Sequence, residues 1–408
     1  MHYKISKDNR NLVGEINLPA SKSISNRLLI IQALNYSLAP ITNLSQSDDT
    51  KIIYSVLNSN TNNFDVANSG TAMRFLTAFL SKIVGEWTIT GSDRMKERPI
   101  GELVKALREL GANIEYLENE GFPPLKILGS NLTGKTIELD ANISSQFISA
   151  LLLIAPTLKN GLTIKLNGKI VSKPYINLTL NILKQFGIKS TFINNTITIN
   201  NQPFSAKDFS VEADWSAASY WYEMAAFADK VDLKLYGLNK NSLQGDSAVA
   251  KIFKNFGVKT TFINNGIHLT KEECNIKKFN IDLIDYPDLA QTIVVTCSFL
   301  KIPFKISGLE TLKIKETNRI NALISELSKF NIKLTETSDG VLECNDFQHN
   351  NIDKYFIDTH SDHRMALSFA PISILNKKII FDNIDVINKS YPAFYEDLKR
   401  VGFKISEE

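Results

Sequence analysis

Basic residues in this chain recur at spacings that could grip anions. Lys22 and Arg27 flank two serines in Leu18-Pro-Ala-Ser-Lys22-Ser-Ile-Ser-Asn-Arg27. On a helix starting near Ser21, the i, i+4 spacing pairs Ser23 with Arg27 and Lys22 with Asn26. Arg94, Lys96 and Arg98 alternate in Gly91-Ser-Asp-Arg94-Met-Lys96-Glu-Arg98-Pro99, and Lys315 and Arg319 are again i, i+4. Arg364 follows Asp362-His363, and Lys389 precedes Ser390-Tyr391-Pro392. A lone basic residue is ordinarily solvated surface, but these lie at element starts or in loops broken by Gly and Pro, where ligand contacts concentrate. Arg suits bidentate grip of carboxylate or phosphate, and Lys supplies a mobile point charge. The pattern implies a small substrate set carrying several negative charges.

Two carboxylates accompany these cations. Asp288 stands in Tyr286-Pro287-Asp288-Leu289-Ala290, and Glu316 stands between Lys315 and Arg319. Their plain readings are a helix cap and a salt-bridge partner; beside a partly desolvated cationic site either could act as a base or an acid. Other chemistries find less support. His360 and His363 with Asp358 and Asp362 suggest a metal only weakly, because no H-E-x-x-H and no further nearby histidine completes a set. The chain has no G-x-G-x-x-G fingerprint, no P-loop and no G-x-S-x-G elbow.

The elements that must hold these groups repeat. Helix-like apolar stripes stop at Gly111, Gly187, Gly257, Asn331 and Gly402, at intervals of 70 to 76 residues. Gly and Asn tolerate the left-handed backbone that closes a helix. A strand–turn–strand signature follows; Thr191-Phe-Ile-Asn-Asn-Thr-Ile-Thr-Ile199 and Thr261-Phe-Ile-Asn-Asn-Gly-Ile-His-Leu269 are near copies, with Asn-Asn and Asn-Gly turn chemistry. A second series opens helical runs at a similar pitch: Ser21, Ser69, Ser144, Asp214, Asp288 and Asp362, all of N-cap type. Together they predict a small α/β unit used about six times. Helix N-termini converging on a ligand would add positive dipole ends to the cations.

Composition bounds the class. At 408 residues two domains are expected, and 43% apolar with 22% charged residues belongs to a folded soluble chain. A net charge of +3 supplies no bulk field for nucleic acid. Cys274, Cys297 and Cys344 lack C-x-x-C spacing, which suits a reducing compartment. The N-terminus shows no apolar signal core and no run reaches the ~20 residues of a membrane span, so a cytoplasmic protein is expected.

In seven segments the chain resembles the 3-phosphoshikimate 1-carboxyvinyltransferase (EPSP synthase) family of enolpyruvyl transferases. These are Ser21-Lys-Ser-Ile-Ser-Asn-Arg27, Asn68-Ser-Gly-Thr-Ala-Met-Arg74, Arg94-Met-Lys-Glu-Arg-Pro99, Ser144-Ser-Gln146, Ser172-Lys-Pro-Tyr175, Lys315-Glu-Thr-Asn-Arg319 and Asp362-His-Arg-Met-Ala366. The resemblance runs from Leu18 to Leu398 and implies an α/β fold of two lobes. Each lobe would hold three repeated units of helices and mixed four-stranded sheets. The implied lobes are residues 1–20 plus 214–408, discontinuous, and residues 21–213, with the ligands in the cleft between them.

By the resemblance, shikimate 3-phosphate would be held by Lys22, Ser23, Arg27, Ser144, Ser145, Gln146, Ser172, Tyr175, Asp288, Thr311 and Lys315. Phosphoenolpyruvate would meet Lys22, Gly70, Arg94, Gln146, Arg319, Arg364 and Lys389. The enolpyruvyl group would move by addition and elimination, with Asp288 as base toward the 5-hydroxyl and with Glu316 and Lys22 serving the other proton transfers. No metal or other cofactor, no nucleic acid and no membrane partner is implied, and a monomer is expected. Gly70 is expected to be Gly because a side chain would intrude where backbone and ligand approach.

Four positions depart from the family pattern: Ala20 stands for a usual Gly, Phe75 for a common Pro, Asn318 for a usual Asp and Thr311 for a common Asn. The nearest rival is the sister transferase acting on UDP-N-acetylglucosamine, a family that typically places a Cys on the mobile loop of the lobe containing Arg94; here no Cys precedes Cys274. A non-catalytic anion-binding relative is the other rival, against which Asp288, Glu316 and Lys22 all remain.

Overall fold

The five helix stops all take up left-handed backbone, with φ of +100° at Gly111, +83° at Gly187, +75° at Gly257, +59° at Asn331 and +87° at Gly402. At four of them the next residue donates its N–H back across the turn: Ala112 to Leu107, Ile188 to Leu183, Ile332 to Leu327 and Phe403 to Leu398, at 2.9–3.2 Å. This bond satisfies a carbonyl that the helix end would otherwise orphan. A strand follows each stop, beginning at Asn113, Ser190, Val258, Thr335 and Lys404.

Five of the six expected caps close helix starts. Ser21, Ser69 and Ser144 accept from the N–H of Ile24, Ala72 and Gln146, and Asp214 and Asp362 accept from Ser216 and Arg364. Asp288 does not cap. It lies inside the 3-10 turn Pro287–Leu289, and the helix Ala290–Phe299 begins after Leu289 with no side-chain cap. Its carboxylate is committed to cations instead.

One computed structural model describes residues 2–36, 39–142, 144–348 and 352–408. The chain forms two compact units, Ser21–Val211 and the discontinuous Met1–Ala20 with Glu212–Glu408. In the discontinuous unit the N-terminal segment pairs into two sheets. Asn11–Asn17 lies parallel to Lys230–Tyr236, and Tyr3–Ser6 lies antiparallel between Lys378–Phe381 and Lys404–Glu407. Those ladders bind the first residues to the C-terminal half. The third sheet of this unit joins Phe279–Asp282, Phe304–Ser307, Val341–Cys344 and Thr335–Ser338.

Each four-stranded sheet has one arrangement, a parallel pair extended by two antiparallel strands. The unit Ser21–Val211 has two of them, and its third repeat shows only a parallel pair, Ile41–Thr42 with Phe209–Ser210, among the described residues. The sixth repeat therefore departs from the expected four-stranded sheet. The Asn194-Asn195 hairpin turns as expected, both residues at positive φ. In its near copy the turn is Asn264-Asn265, and Gly266 opens the next strand. A Cβ at Gly266 would lie 2.3 Å from the Leu235 carbonyl oxygen, so Gly serves close strand approach there rather than the turn.

Each unit packs its sheets around helices buried on nearly every side. Every residue of Trp215–Phe227 except Ser216 is buried, as is Ala290–Phe299 up to Ser298. Helices apolar all round belong in an interior, and each fully buried large side chain contributes about 1.5–3 kcal/mol. In the other unit Ser145–Ile154 takes this place, and Leu151 to Pro156 form its buried end. The starts of these helices present the polar groups described next.

Candidate active site

Arg319 opens the helix Arg319–Ser328, where Asn318 caps by accepting the Asn321 N–H at 3.2 Å. Asn318, one of the four departures from the family pattern, thus serves as a helix cap. Arg319 is 1% exposed. Its Nε donates to Asp362 Oδ2 at 2.7 Å and its Nη2 to Glu316 Oε2 at 2.9 Å, while Nη1 lies 3.5 Å from Asp288 Oδ1. Lys389, ending the turn Asp385–Lys389, reaches Glu316 Oε1 at 2.7 Å. Arg364 places Nη2 2.7 Å from Asp288 Oδ2 and donates through Nη1 to the Asp288 carbonyl and the Tyr220 hydroxyl. Five residues singled out in the sequence, Asp288, Glu316, Arg319, Arg364 and Lys389, thus share one network. Thr311 lies on the turn Glu310–Ile314, and Lys315 follows it, both partly buried on the approach to Glu316.

In this network Arg319, Arg364 and Lys389 face Asp288, Glu316 and Asp362. Net charge alone therefore offers an anion little; what the network presents is a set of oriented, largely buried donors. Arg319 is held well above the ordinary guanidinium range by Asp362 and Glu316, against the opposing effect of its burial. Burial pushes the Tyr220 hydroxyl up to about 12, so it stays neutral.

Asp246, on the turn Gly245–Ala248, accepts from Ser216 Oγ. Burial, and then the charge of Asp288, push its carboxyl up to about 7. A raised carboxyl favours the folded state most when protonated. Its contribution is therefore complete below about pH 4, the unfolded value, and is lost as pH rises through about 7. Urea unfolding between pH 4 and 8 is expected to show stability falling by a few kcal/mol, on the order of the shift, and Asp246→Asn should flatten that fall. Parallel curves for both proteins would remove Asp246 as its source.

The second constellation lies in Ser21–Val211. Lys22 pairs with Asp49 Oδ2 at 3.1 Å, with the Lys22 side chain 14% exposed. Arg27 is buried, and burial draws it down to about 10, so it stays charged at neutral pH. It donates to Thr179 Oγ1 at 2.7 Å, Ser149 Oγ at 3.2 Å and the carbonyls of Ser23 and Tyr175. Three helices, Lys22–Asn35, Ser145–Ile154 and Lys173–Gln185, are joined through this one guanidinium. Phe75 lies under it, 5.3 Å from guanidinium carbon to ring centroid; this gives the Phe that departs from the family pattern a cation–π role. Ala20, another departure, bridges Ala213 beside the cap Ser21.

Gln146 Nε2 reaches Thr71 Oγ1 at 3.4 Å, linking the Ser144 and Ser145 helix start to the first turn of Gly70–Lys82. Ser172 precedes Lys173–Gln185 with φ of +55°, an uncommon conformation for a non-glycine residue. Arg94, on the turn Asp93–Lys96, pairs with Glu97 at 2.8 Å and is about one-third exposed. A Cβ at Gly70 would lie 2.8 Å from both Nη1 and Nη2 of Arg98, so a side chain there would push the end of Arg98 aside.

His360 Nε2 contacts Glu326 at 3.1 Å, and His363 lies 3.6 Å from Asp362. Among the described residues, no three His, Cys, Asp or Glu side chains are grouped as a metal site would group them. Asp49, Tyr220, Asp246, Ser149 and Thr179 were invisible as site partners in the sequence, since each is distant along the chain and of ordinary local type. Asp362 was visible as a cap and as a weak metal candidate, and not as the partner of Arg319.

A chain of repeated helix-and-sheet units with capped helix starts and a buried lattice of guanidinium and carboxylate groups defines a mixed α/β enzyme that handles small anions. Residues 6–60 and 53–398 match the family described as EPSP synthase (3-phosphoshikimate 1-carboxyvinyltransferase). The chain belongs to that family. It is 48% identical over 411 residues to the 3-phosphoshikimate 1-carboxyvinyltransferase of Bacteroides fragilis, with 100% of both chains covered. To the enzyme of that name from Vibrio atlanticus it is 37% identical, covering 95% of this chain and 97% of that one. Its fold is that of the EPSP synthase of Acinetobacter baumannii, with a TM-score of 0.76 over 100% of both chains at 20% identity. No helix among the described residues is long and apolar enough to cross a membrane.

Proposed function

We propose that the protein transfers the enolpyruvyl group of phosphoenolpyruvate to the 5-hydroxyl of shikimate 3-phosphate, releasing phosphate by addition and elimination. Membership of the family supports the reaction, and the Arg319-centred network supports the assignment of roles. Asp288 takes the hydroxyl proton as its oxygen attacks. Glu316, held between Lys389 and Arg319, and Lys22 serve proton transfer at the methylene carbon and the departing phosphate. Arg319, Arg364 and Lys389 meet the phosphoenolpyruvate anion with Lys22, Gly70, Arg94 and Gln146. Arg319 Nη1, buried and without a hydrogen-bond partner among the described residues, is the donor it offers. An oriented, water-poor donor set stabilises developing charge without reorganising during the reaction.

Shikimate 3-phosphate is assigned to Lys22, Ser23, Arg27, Ser144, Ser145, Gln146, Ser172, Tyr175, Asp288, Thr311 and Lys315. The reaction is placed in the cytoplasm, in a single chain as the working unit and without a metal. The three free cysteines suit that compartment. The purified protein is expected to release phosphate from phosphoenolpyruvate only with shikimate 3-phosphate present and no metal added. Release with UDP-N-acetylglucosamine instead would transfer the assignment to the sister enzyme, and release with neither acceptor would leave an anion-binding relative.

A further inference from the structure

The loop that carries Arg94 ends in a second guanidinium whose surroundings do not account for it. Arg98 is 6% exposed, and its Nε and Nη1 are buried without a hydrogen-bond partner among the described residues. A buried charge with unmet donors is a standing cost to the fold. The guanidinium is held over the first turn of the 13-residue helix Gly70–Lys82, 2.8 Å from where a Gly70 Cβ would stand. That end of the helix carries free backbone N–H groups and the positive end of the helix dipole. Two positive features therefore face each other across a glycine whose missing side chain leaves the guanidinium room to approach.

The scaffold around Arg98 is braced. Arg74 Nη2 donates to the Pro99 carbonyl at 2.7 Å and its Nη1 lies 3.2 Å from Met95 Sδ, pinning the loop to the same helix from below. Ser69 caps the helix, and Asn68 accepts from Ser92 Oγ at the root of the turn Asp93–Lys96. Among the described residues no carboxylate pairs with Arg98, in contrast to Arg94 with Glu97 and Lys96 with Glu118.

We propose that Arg98 is a further anion-binding residue, its guanidinium completing with the Gly70 helix N-terminus a site for a phosphate-bearing anion. This rests on the reading that phosphoenolpyruvate meets Gly70. It also changes the part Gly70 plays, because a methyl group there displaces Arg98 before it meets any ligand.

Inorganic phosphate, titrated by calorimetry against the full chain, tests the site apart from turnover. Arg98→Gln should weaken phosphate about 10- to 100-fold, the loss of a charge-assisted pair. It should raise KM for phosphoenolpyruvate similarly, with kcat and the KM for the acceptor within about twofold. Without ligand, the variant should melt no lower than wild type, since it removes an unpaired buried charge. Gly70→Ala should weaken phosphate as well, and the double variant no more than the worse single one. Wild-type phosphate affinity in a folded Arg98→Gln protein overturns the inference, as does a lowered melting point with KM unchanged, which would make Arg98 structural. Should Arg98→Gln not fold, independent and multiplicative losses in Gly70→Ala and Arg98→Lys would overturn it equally. Absence of turnover in wild type with phosphate binding as described would sink the transferase reading and leave the site standing.

Discussion

Asp288→Ala is expected to lower kcat by about 10²- to 10⁴-fold, the usual worth of a positioned general base, with acceptor affinity changed far less. The carboxylate bridges Arg364 at 2.7 Å and Arg319 at 3.5 Å through opposite oxygens, so both guanidinium groups hold it in one orientation. Removing it deletes the proton acceptor and also frees two cations for an anionic ligand. Binding of phosphoenolpyruvate should therefore hold or tighten while turnover collapses, a split that loss of fold cannot mimic. Asp288→Asn keeps the shape and the hydrogen-bond acceptor but not the basicity, and should lose nearly as much turnover. Steady-state kinetics beside calorimetric binding of both ligands measures the split, and a kcat unchanged in either variant would take the base role from Asp288.

Arg319→Met should destabilise the protein by about 3–5 kcal/mol, the cost of breaking a buried ion pair and stranding its partner. Here the stranded groups are Asp362, fully buried and bonded at 2.7 Å, and Glu316, bonded at 2.9 Å. Asp362 also caps the helix His363–Phe369, so the backbone N–H of Arg364 stays engaged while its charge goes unmatched. Arg319→Lys retains the charge, but one ammonium cannot reproduce the fork that reaches both carboxylates. It should recover only part of the stability and little phosphoenolpyruvate affinity. Urea unfolding with both variants checks this, and wild-type stability in Arg319→Met would mean that the network holds nothing together.

Much of this architecture was legible along the chain. The stops at Gly111, Gly187, Gly257, Asn331 and Gly402 were readable because closing a helix is local chemistry that one residue with access to φ > 0 settles. Ser21, Ser69, Ser144, Asp214 and Asp362 were readable for the same reason. Asp288 looked the same and is not a cap, since two arginines compete for its carboxylate and one of them, Arg364, lies 76 positions away. Gly266 looked like turn chemistry and serves a neighbouring strand that begins 36 residues earlier. Local signals show what a residue can do and leave open which partner claims it.

The sequence by itself determined the repeat, the class of chemistry and the family, because periodicity, caps and short motifs are properties of neighbours along the chain. Tertiary structure alone decided that Arg319, Arg364 and Lys389 each face a carboxylate, that Arg27 fastens three helices, and that Arg98 stands over Gly70. Those outcomes depend on distances between residues far apart in the chain, which only packing sets. In a buried site of low dielectric, such distances govern the strength of every charge interaction.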